Sequence, residues 1–264
     1  MITATAALVL LAAAGPWQAV APGVEVGRFP AARKAPLGDS VITVVRVDPR
    51  LHHFRLLSSA LLKKPANATA PEWVGEPGVM GVINASMYRQ DHRTSVAYLR
   101  QDAGVNNGTW TKDRAVFLAG PARKGLPPAQ IADDTCQDVP ALAPAYATVA
   151  QNIRMIDCQR RNVWAQQPRR WSTACVGADG SGRVLLIHAR SPFTVHDLVD
   201  ELLGLPLDLR RLMYVEGGPE ASLYVKVGDR VVVSEMGSFE TGFREADDNR
   251  VFWPLPNMLA FGPR

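Results

Sequence analysis

Apolar residues recur along this chain in short runs punctuated by Gly, Pro, Asn and Asp, a pattern that predicts a series of strands and a few helices. Residues 41–47 are rich in β-branched side chains and end at Asp48-Pro49, and residues 54–57 alternate after it, so an antiparallel hairpin is expected there. Further strands are expected at 79–83, 96–99, 115–118 and 153–156, and near 258–261 to close the chain. Residues 171–177 and 184–188 flank a Gly-rich turn and predict a hairpin, as do 222–227 and 230–234 across Gly228-Asp229. Thr194 followed by Val195, Leu198, Val199, Leu202 and Leu203, stopped by Gly204 and Pro206, predicts a capped helix. Short helices are expected around Glu72-Trp73 and over 146–152, and loops over 104–108, 120–144 and 237–249. The sum is an α+β fold, a mixed, largely antiparallel sheet with a few packed helices.

Composition narrows the function classes. The chain has 264 residues, 47% of them hydrophobic and 20% charged, which suits one folded domain rather than a disordered chain. Its net charge of +4 comes from scattered Arg, without the basic, aromatic-interleaved element a nucleic-acid partner needs, so none is expected. The apolar run before Gly15-Pro16 reads as the core of a signal for export, too short for a stable membrane span and with no Lys or Arg at its start. The expected division is a signal segment over 1–21, an irregular lead-in over 22–39 and a single domain over 40–264. The protein is then periplasmic or secreted, and the Ala, Arg, Pro and Gly bias looks bacterial. In that compartment Cys136 and Cys158, flanking one loop-rich stretch, are the expected disulfide and Cys175 is left free. With no Cys-x-x-Cys or His-x-x-x-His spacing, no metal site is expected. Nothing in the residues names a cofactor.

The most informative stretch is the apolar run that delivers Glu216 into Gly217-Gly218-Pro219-Glu220. A strand ending in an acid holds that carboxylate by the sheet, and the two glycines let a ligand approach bare amides. The same pattern also fits a plain tight turn with a surface acid. Asn84 ends an apolar run where its carboxamide can donate and accept, or can cap its own turn. Arg154 interrupts an apolar strand and needs an anionic partner, either Glu216 or a substrate phosphate, unless it lies on a wet face. Cys175 could act as a nucleophile with His188 or His196 as base, or fill a hairpin's buried face. Asn106 and Asn107 sit in an Asn-Gly turn, with Asn106 a secondary ligand candidate.

In order, these blocks resemble the phosphodiester glycosidase family. Residues 82–88, Val-Ile-Asn-Ala-Ser-Met-Tyr, resemble its Ile-Asn-Gly-Gly-Phe-Phe strand end, and Ile153-Arg154-Met155-Ile156 its Pro-Arg-Leu-Ile segment. Residues 172–188 resemble its Arg-Thr-Ala-Ile-Gly hairpin, and 214–223 its Leu-Asp-Gly-Gly-Gly-Ser block. Pro256-Asn257-Met258-Leu259 matches its Pro-Asn-x-Leu ending, so the resemblance spans about residues 40–262. Two departures stand out: Glu216 replaces the family's Asp, and the hairpin Arg falls on Thr173, so a phosphate-binding cation is missing unless Arg169 or Arg170 replaces it.

The resemblance implies a hydrolase that cleaves a glycosidic bond in a sugar phosphodiester or related envelope glycoconjugate. Glu216, Asn84 and Arg154 would be catalytic, with Gly217, Gly218, Thr173, Cys175 and Asn106 as substrate contacts. The departures motivate the alternative of a non-hydrolytic sugar- or polymer-binding envelope protein.

Overall fold

A computed structural model describes residues 15–264, and the expected signal segment lies largely outside the described residues. The strands are β1 (Trp17–Ala21), β2 (Val24–Pro30), β3 (Val41–Val47), β4 (His52–Ser58), β5 (Gly81–Asn84), β6 (Leu99–Gln101), β7 (Gly104–Asn107) and β8 (Ala115–Pro121). They continue as β9 (Ala129–Asp133), β10 (Tyr146–Arg154), β11 (Trp171–Asp179), β12 (Val184–Phe193), β13 (Leu209–Gly217), β14 (Ser222–Val227), β15 (Arg230–Met236) and β16 (Asn257–Pro263). Helices are α1 (Ala70–Val74), α2 (Val139–Leu142) and α3 (Val195–Gly204).

The larger sheet has 11 strands, in the order β1-β2-β3-β12-β11-β13-β10-β6-β7, with β8 and β9 attached through β10. The smaller has five, in the order β15-β14-β5-β16-β4. All pairings between these strands are antiparallel. Side chains from the two sheets, among them Val45, Val47, Val176 and Val215 from one and Phe54, Ile83, Leu223 and Phe261 from the other, form the core between them. The outer face of the larger sheet is covered by α3, whose Val195, Leu198, Val199 and Leu202 pack on Ile42, Val44, Ile187 and Leu212. The outer face of the smaller sheet is covered by α1 through Trp73, which packs with Val82, Met258 and Ala260. Burial on both faces explains why β3 and β12 read as nearly continuous apolar runs.

The α+β expectation is overturned, because strands and isolated bridges hold 46% of the described residues and helical turns 10%. The fold is mainly β, and among the helices of the described residues only α3 exceeds five residues. Residues 146–152, expected to be helical, are strand β10, whose backbone is paired by β6, β8 and β13. Three stretches expected to be irregular, within 22–39, 104–108 and 120–144, contain β2, β7 and β9. Ladder partners far away in sequence decided these segments against their local preference. The hairpin expected of β3 and β4 does not form either. β3 pairs with β2 and β12, β4 with β16, and the turn at 48–51 carries the chain from one sheet to the other. The two strands face each other across the core instead of sharing hydrogen bonds.

Three expectations hold closely. The β11–β12 and β14–β15 hairpins form, and Thr194 caps α3 by accepting from the Asp197 N–H at 3.1 Å. The Cys136–Cys158 disulfide is closed, and Cys175 is free and buried. No helix among the described residues is long and apolar enough to cross a membrane.

Candidate active site

After the passages from β3 to β4 and from β5 to β6, the chain crosses between the sheets a third time at the Glu216 segment. β13 ends at Gly217, a single 3-10 turn covers Gly218–Glu220, and β14 starts at Ser222 in the smaller sheet. The acid therefore sits where the two sheets part. A cleft of about 520 Å³ opens there, lined by Glu216, Gly217, Glu220, Glu240, Tyr88, Arg89, His92, Arg169, Trp171 and Tyr214 among others.

Glu216 lies at its floor, 8% exposed. Burial, opposed in part by the Gly217 N–H that donates to Oε1 at 3.0 Å, and the nearby Glu220 and Glu240 raise its pKa to about 8. Burial also raises Glu220, with Glu240 adding to the effect and a Tyr88 hydrogen bond opposing it. Burial and these carboxylates push the Tyr88 and Tyr214 phenols upward, so both remain protonated donors. The indole N–H of Trp171 is buried beside the Tyr214 hydroxyl, without a partner at good hydrogen-bond geometry, at the wall of the cleft. Arg169 stands over the Trp171 ring at 5.9 Å and brings a cation to the cleft.

Both glycines after the acid have steric causes. A Cβ at Gly217 would meet the Tyr214 hydroxyl at 2.1 Å and the Trp171 ring at 2.5 Å. Gly218 adopts φ +66°, and a Cβ there would lie 2.6 Å from Glu240 Oε2 and 3.3 Å from Glu220 Oε2. Two carboxylates thus converge on the bare backbone of the turn.

Glu240 arrives from the polar loop 237–249, and local sequence gave no sign of it. That loop is docked by backbone pairing: Ser172 N–H donates to Phe239 O at 2.9 Å, and Thr241 N–H donates to Arg170 O at 3.0 Å. Arg190 secures its two ends by donating to the carbonyls of Met236 and Asn249 at 2.7 and 2.8 Å. Tyr214 was legible in principle, because it lies two residues before Glu216 on the same strand, and alternation returns a side chain to the same face.

The other expected site residues disperse. Asn84 is buried, accepts from the Ser222 N–H at 2.7 Å and donates to Glu220 O at 3.0 Å, so it pins the acid turn from β5 and does not line the cleft. Arg154 does not face Glu216. It donates to both oxygens of Asp133 at 3.0 Å and to Thr135 at 2.8 Å, beside the disulfide. Thr173 is a buried strand residue opposite Gly217, and Cys175 is fully buried in the core against α3. Burial pushes the Cys175 thiol well up, which removes it as a nucleophile. Asn106 accepts from the Ser95 N–H at 2.7 Å and donates to Ser58 Oγ and Arg93 O at 3.1 Å, holding loops together. Gly217 remains in the cleft, although its N–H is taken by Glu216, and Gly218 backs the converging acids.

A mainly β fold whose sheets part around clustered carboxylates accords with a glycosidase-type hydrolase. Residues 77–262 match the phosphodiester glycosidase family, and the chain belongs to that family. Its fold is similar to the catalytic domain of zebrafish N-acetylglucosamine-1-phosphodiester alpha-N-acetylglucosaminidase, a structure auto-inhibited by its pro-peptide. The TM-score is 0.65 at 10% identity, covering 94% of this chain and 86% of that one. It is also similar to a hypothetical protein from Synechocystis, with a TM-score of 0.58 at 11% identity, covering 96% of this chain and 65% of that one. At these identities the likeness carries the fold alone. No curated protein matches the chain.

Proposed function

We propose that the chain hydrolyses the glycosidic bond of a sugar phosphodiester, with Glu216 as general acid. The observation that carries this reading is a carboxyl with its pKa raised to about 8, at the floor of a cleft that also holds two carboxylates and Arg169. At neutral pH such a group keeps its proton and can deliver it to the bridging oxygen as the bond from the anomeric carbon breaks. Glu240 takes the proton of the attacking water, so the sugar leaves with a hydroxyl and the phosphate ester leaves with the proton from Glu216. Arg169 lies against the phosphodiester and supplies the cation that Thr173 lacks. Trp171 N–H and the Tyr88 and Tyr214 hydroxyls hold sugar oxygens. Asn84 is a positioning residue that keeps the acid turn in register.

Export is part of this proposal. The closed Cys136–Cys158 pair supports an oxidising compartment and fits the apolar run at the start of the sequence.

Turnover of N-acetylglucosamine-1-phosphate methyl diester by wild type and Glu216→Gln tests the reading. The variant is expected to lose about a hundredfold to ten-thousandfold in kcat. Full activity in the variant would remove Glu216 from the chemistry. Binding of the diester by wild type without any turnover would favour a sugar-binding protein instead.

A further inference from the structure

The acid cleft is not the largest hollow in the molecule. A cavity of about 780 Å³ is lined by Tyr98, Arg100, Trp110, Thr111, Asp113, Val116, Asp134, Val139, Pro140 and Gln151 among others, and it shares no residue with the acid cleft. Its size and its mix of apolar floor and few polar groups are those of a small-ligand site.

We propose that this cavity is a second carbohydrate site, which takes a neutral pyranose unit of an oligosaccharide on the face of Trp110. Trp110 stacks on Tyr98 with ring centroids 4.2 Å apart and planes 9° from parallel, yet remains 44% exposed. One face is thus backed by an aromatic ring while the other is available. An exposed indole face with an apolar floor accepts the C–H face of a sugar ring, and polar groups around it accept the ring's hydroxyls.

The platform is built before any ligand arrives. Gln151 is buried and accepts from the Thr111 N–H at 2.9 Å, and it donates to the carbonyls of Thr111 at 3.2 Å and of Asp113. Asn107 accepts from the Thr109 N–H at 2.9 Å on the other side of Trp110. Holding the loop on both sides spares the ordering cost that a flexible loop would add to binding.

Charge selects a neutral ligand. Among the described residues the only cation lining the cavity is Arg100, which donates to the carbonyls of Asp102, Ala143 and Tyr146 at 2.7, 2.9 and 2.6 Å. Its hydrogen-bonding capacity is directed into the protein, which leaves little for a phosphate. Asp134 is paired with Arg114 at 3.3 Å and Asp113 accepts from the Thr111 hydroxyl at 2.6 Å, so both carboxylates are partly satisfied but keep lone pairs for hydroxyl donors. The two hollows are neighbours along the chain: Val96 lines the acid cleft and Tyr98 the cavity. An oligosaccharide long enough to follow this segment from Trp110 would also enter the acid cleft, where the proposed hydrolysis takes place. The identity of the shared glycan rests on that hydrolytic reading, whereas the binding itself does not.

The test is calorimetric titration of the full chain carrying Glu216→Gln, with each glycan recovered afterwards and checked to be uncleaved. The probes are β-1,4 tetramers of N-acetylglucosamine and of glucose, with tetramethylammonium chloride as a cationic control. At least one tetramer is expected to bind, with affinity reduced tenfold or more by an added Trp110→Ala and largely kept by Trp110→Phe. Thermal melting of each variant verifies that it is folded. Absence of binding by both tetramers, equal binding by Trp110→Ala, or binding of tetramethylammonium in place of the sugars overturns the proposal. Because the measurement is of binding in a chain that already lacks the acid, its outcome is independent of whether Glu216 catalyses anything.

Discussion

Asp133 and Glu216 are both carboxyl groups taken out of water at the ends of strands, 1% and 8% exposed, and their surroundings treat them in opposite ways. At Asp133 burial would raise the pKa, but the Thr135 hydroxyl and amide and the Arg154 guanidinium outweigh it and hold the group below the usual carboxylate range. At Glu216 burial faces only one backbone N–H, and two further acids add to it, so the group is raised to about 8. The first corner is satisfied within the protein and pinned by a disulfide. The second leaves three carboxylates facing an open cleft without a cation among the described residues bound to any of them. A buried carboxyl by itself does not mark a functional site, and its partners decide whether it is structure or chemistry.

Breaking the satisfied corner should destabilise the fold at every pH where Asp133 is ionised. Arg154→Leu leaves Asp133 buried without its cation and is expected to cost about 3 kcal/mol in urea unfolding. Turnover per folded molecule should be retained, and loss of turnover in a fully folded variant would return Arg154 to the active site. The unsatisfied corner should respond with the opposite sign. Its folded-state pKa of about 8 lies above the ordinary value of 4.5, so the native state holds a proton that the unfolded chain gives up. The associated stability is fully present below about pH 4.5 and is lost as pH rises through about 8.

Glu216→Gln carries no such loss. It is expected to melt at a clearly higher temperature than wild type at pH 9, with the gain vanishing near pH 4. Paired melting curves at the two pH values measure this, and a constant difference would refute the raised pKa. The smallest effect is expected at the cation. Arg169→Ala should raise KM for a sugar phosphodiester by about tenfold, worth about 1.4 kcal/mol, with little change in KM for an uncharged aryl glycoside. Equal changes for both substrates would show that Arg169 does not read the phosphate.

The legible part of the candidate site is its local part. The acid and its two glycines form one contiguous turn, and Asn84 was found because it ends an apolar run, although its role proved to be holding that turn rather than touching a ligand. Arg154 was recognised as needing an anion, but the choice between Glu216 and another acid depends on where β9 lies beside the strand, which no local pattern encodes. Glu240 was missed for a related reason. Its loop has neither periodicity nor a motif, and pairing with segment 170–172 brings it to the cleft.

Sequence alone determined the elements whose signals are local: two hairpins with their turns, the capped helix α3, the Cys136–Cys158 pair, and an acid held at a strand end. Tertiary structure decided which sheet each strand joined, that residues 146–152 would be a strand, and which charged groups would meet. Turns and caps are specified by neighbouring residues through their own hydrogen bonds. Sheet membership and the pKa of a buried carboxyl depend on partners far away in the chain, and those are present only once the two sheets have packed.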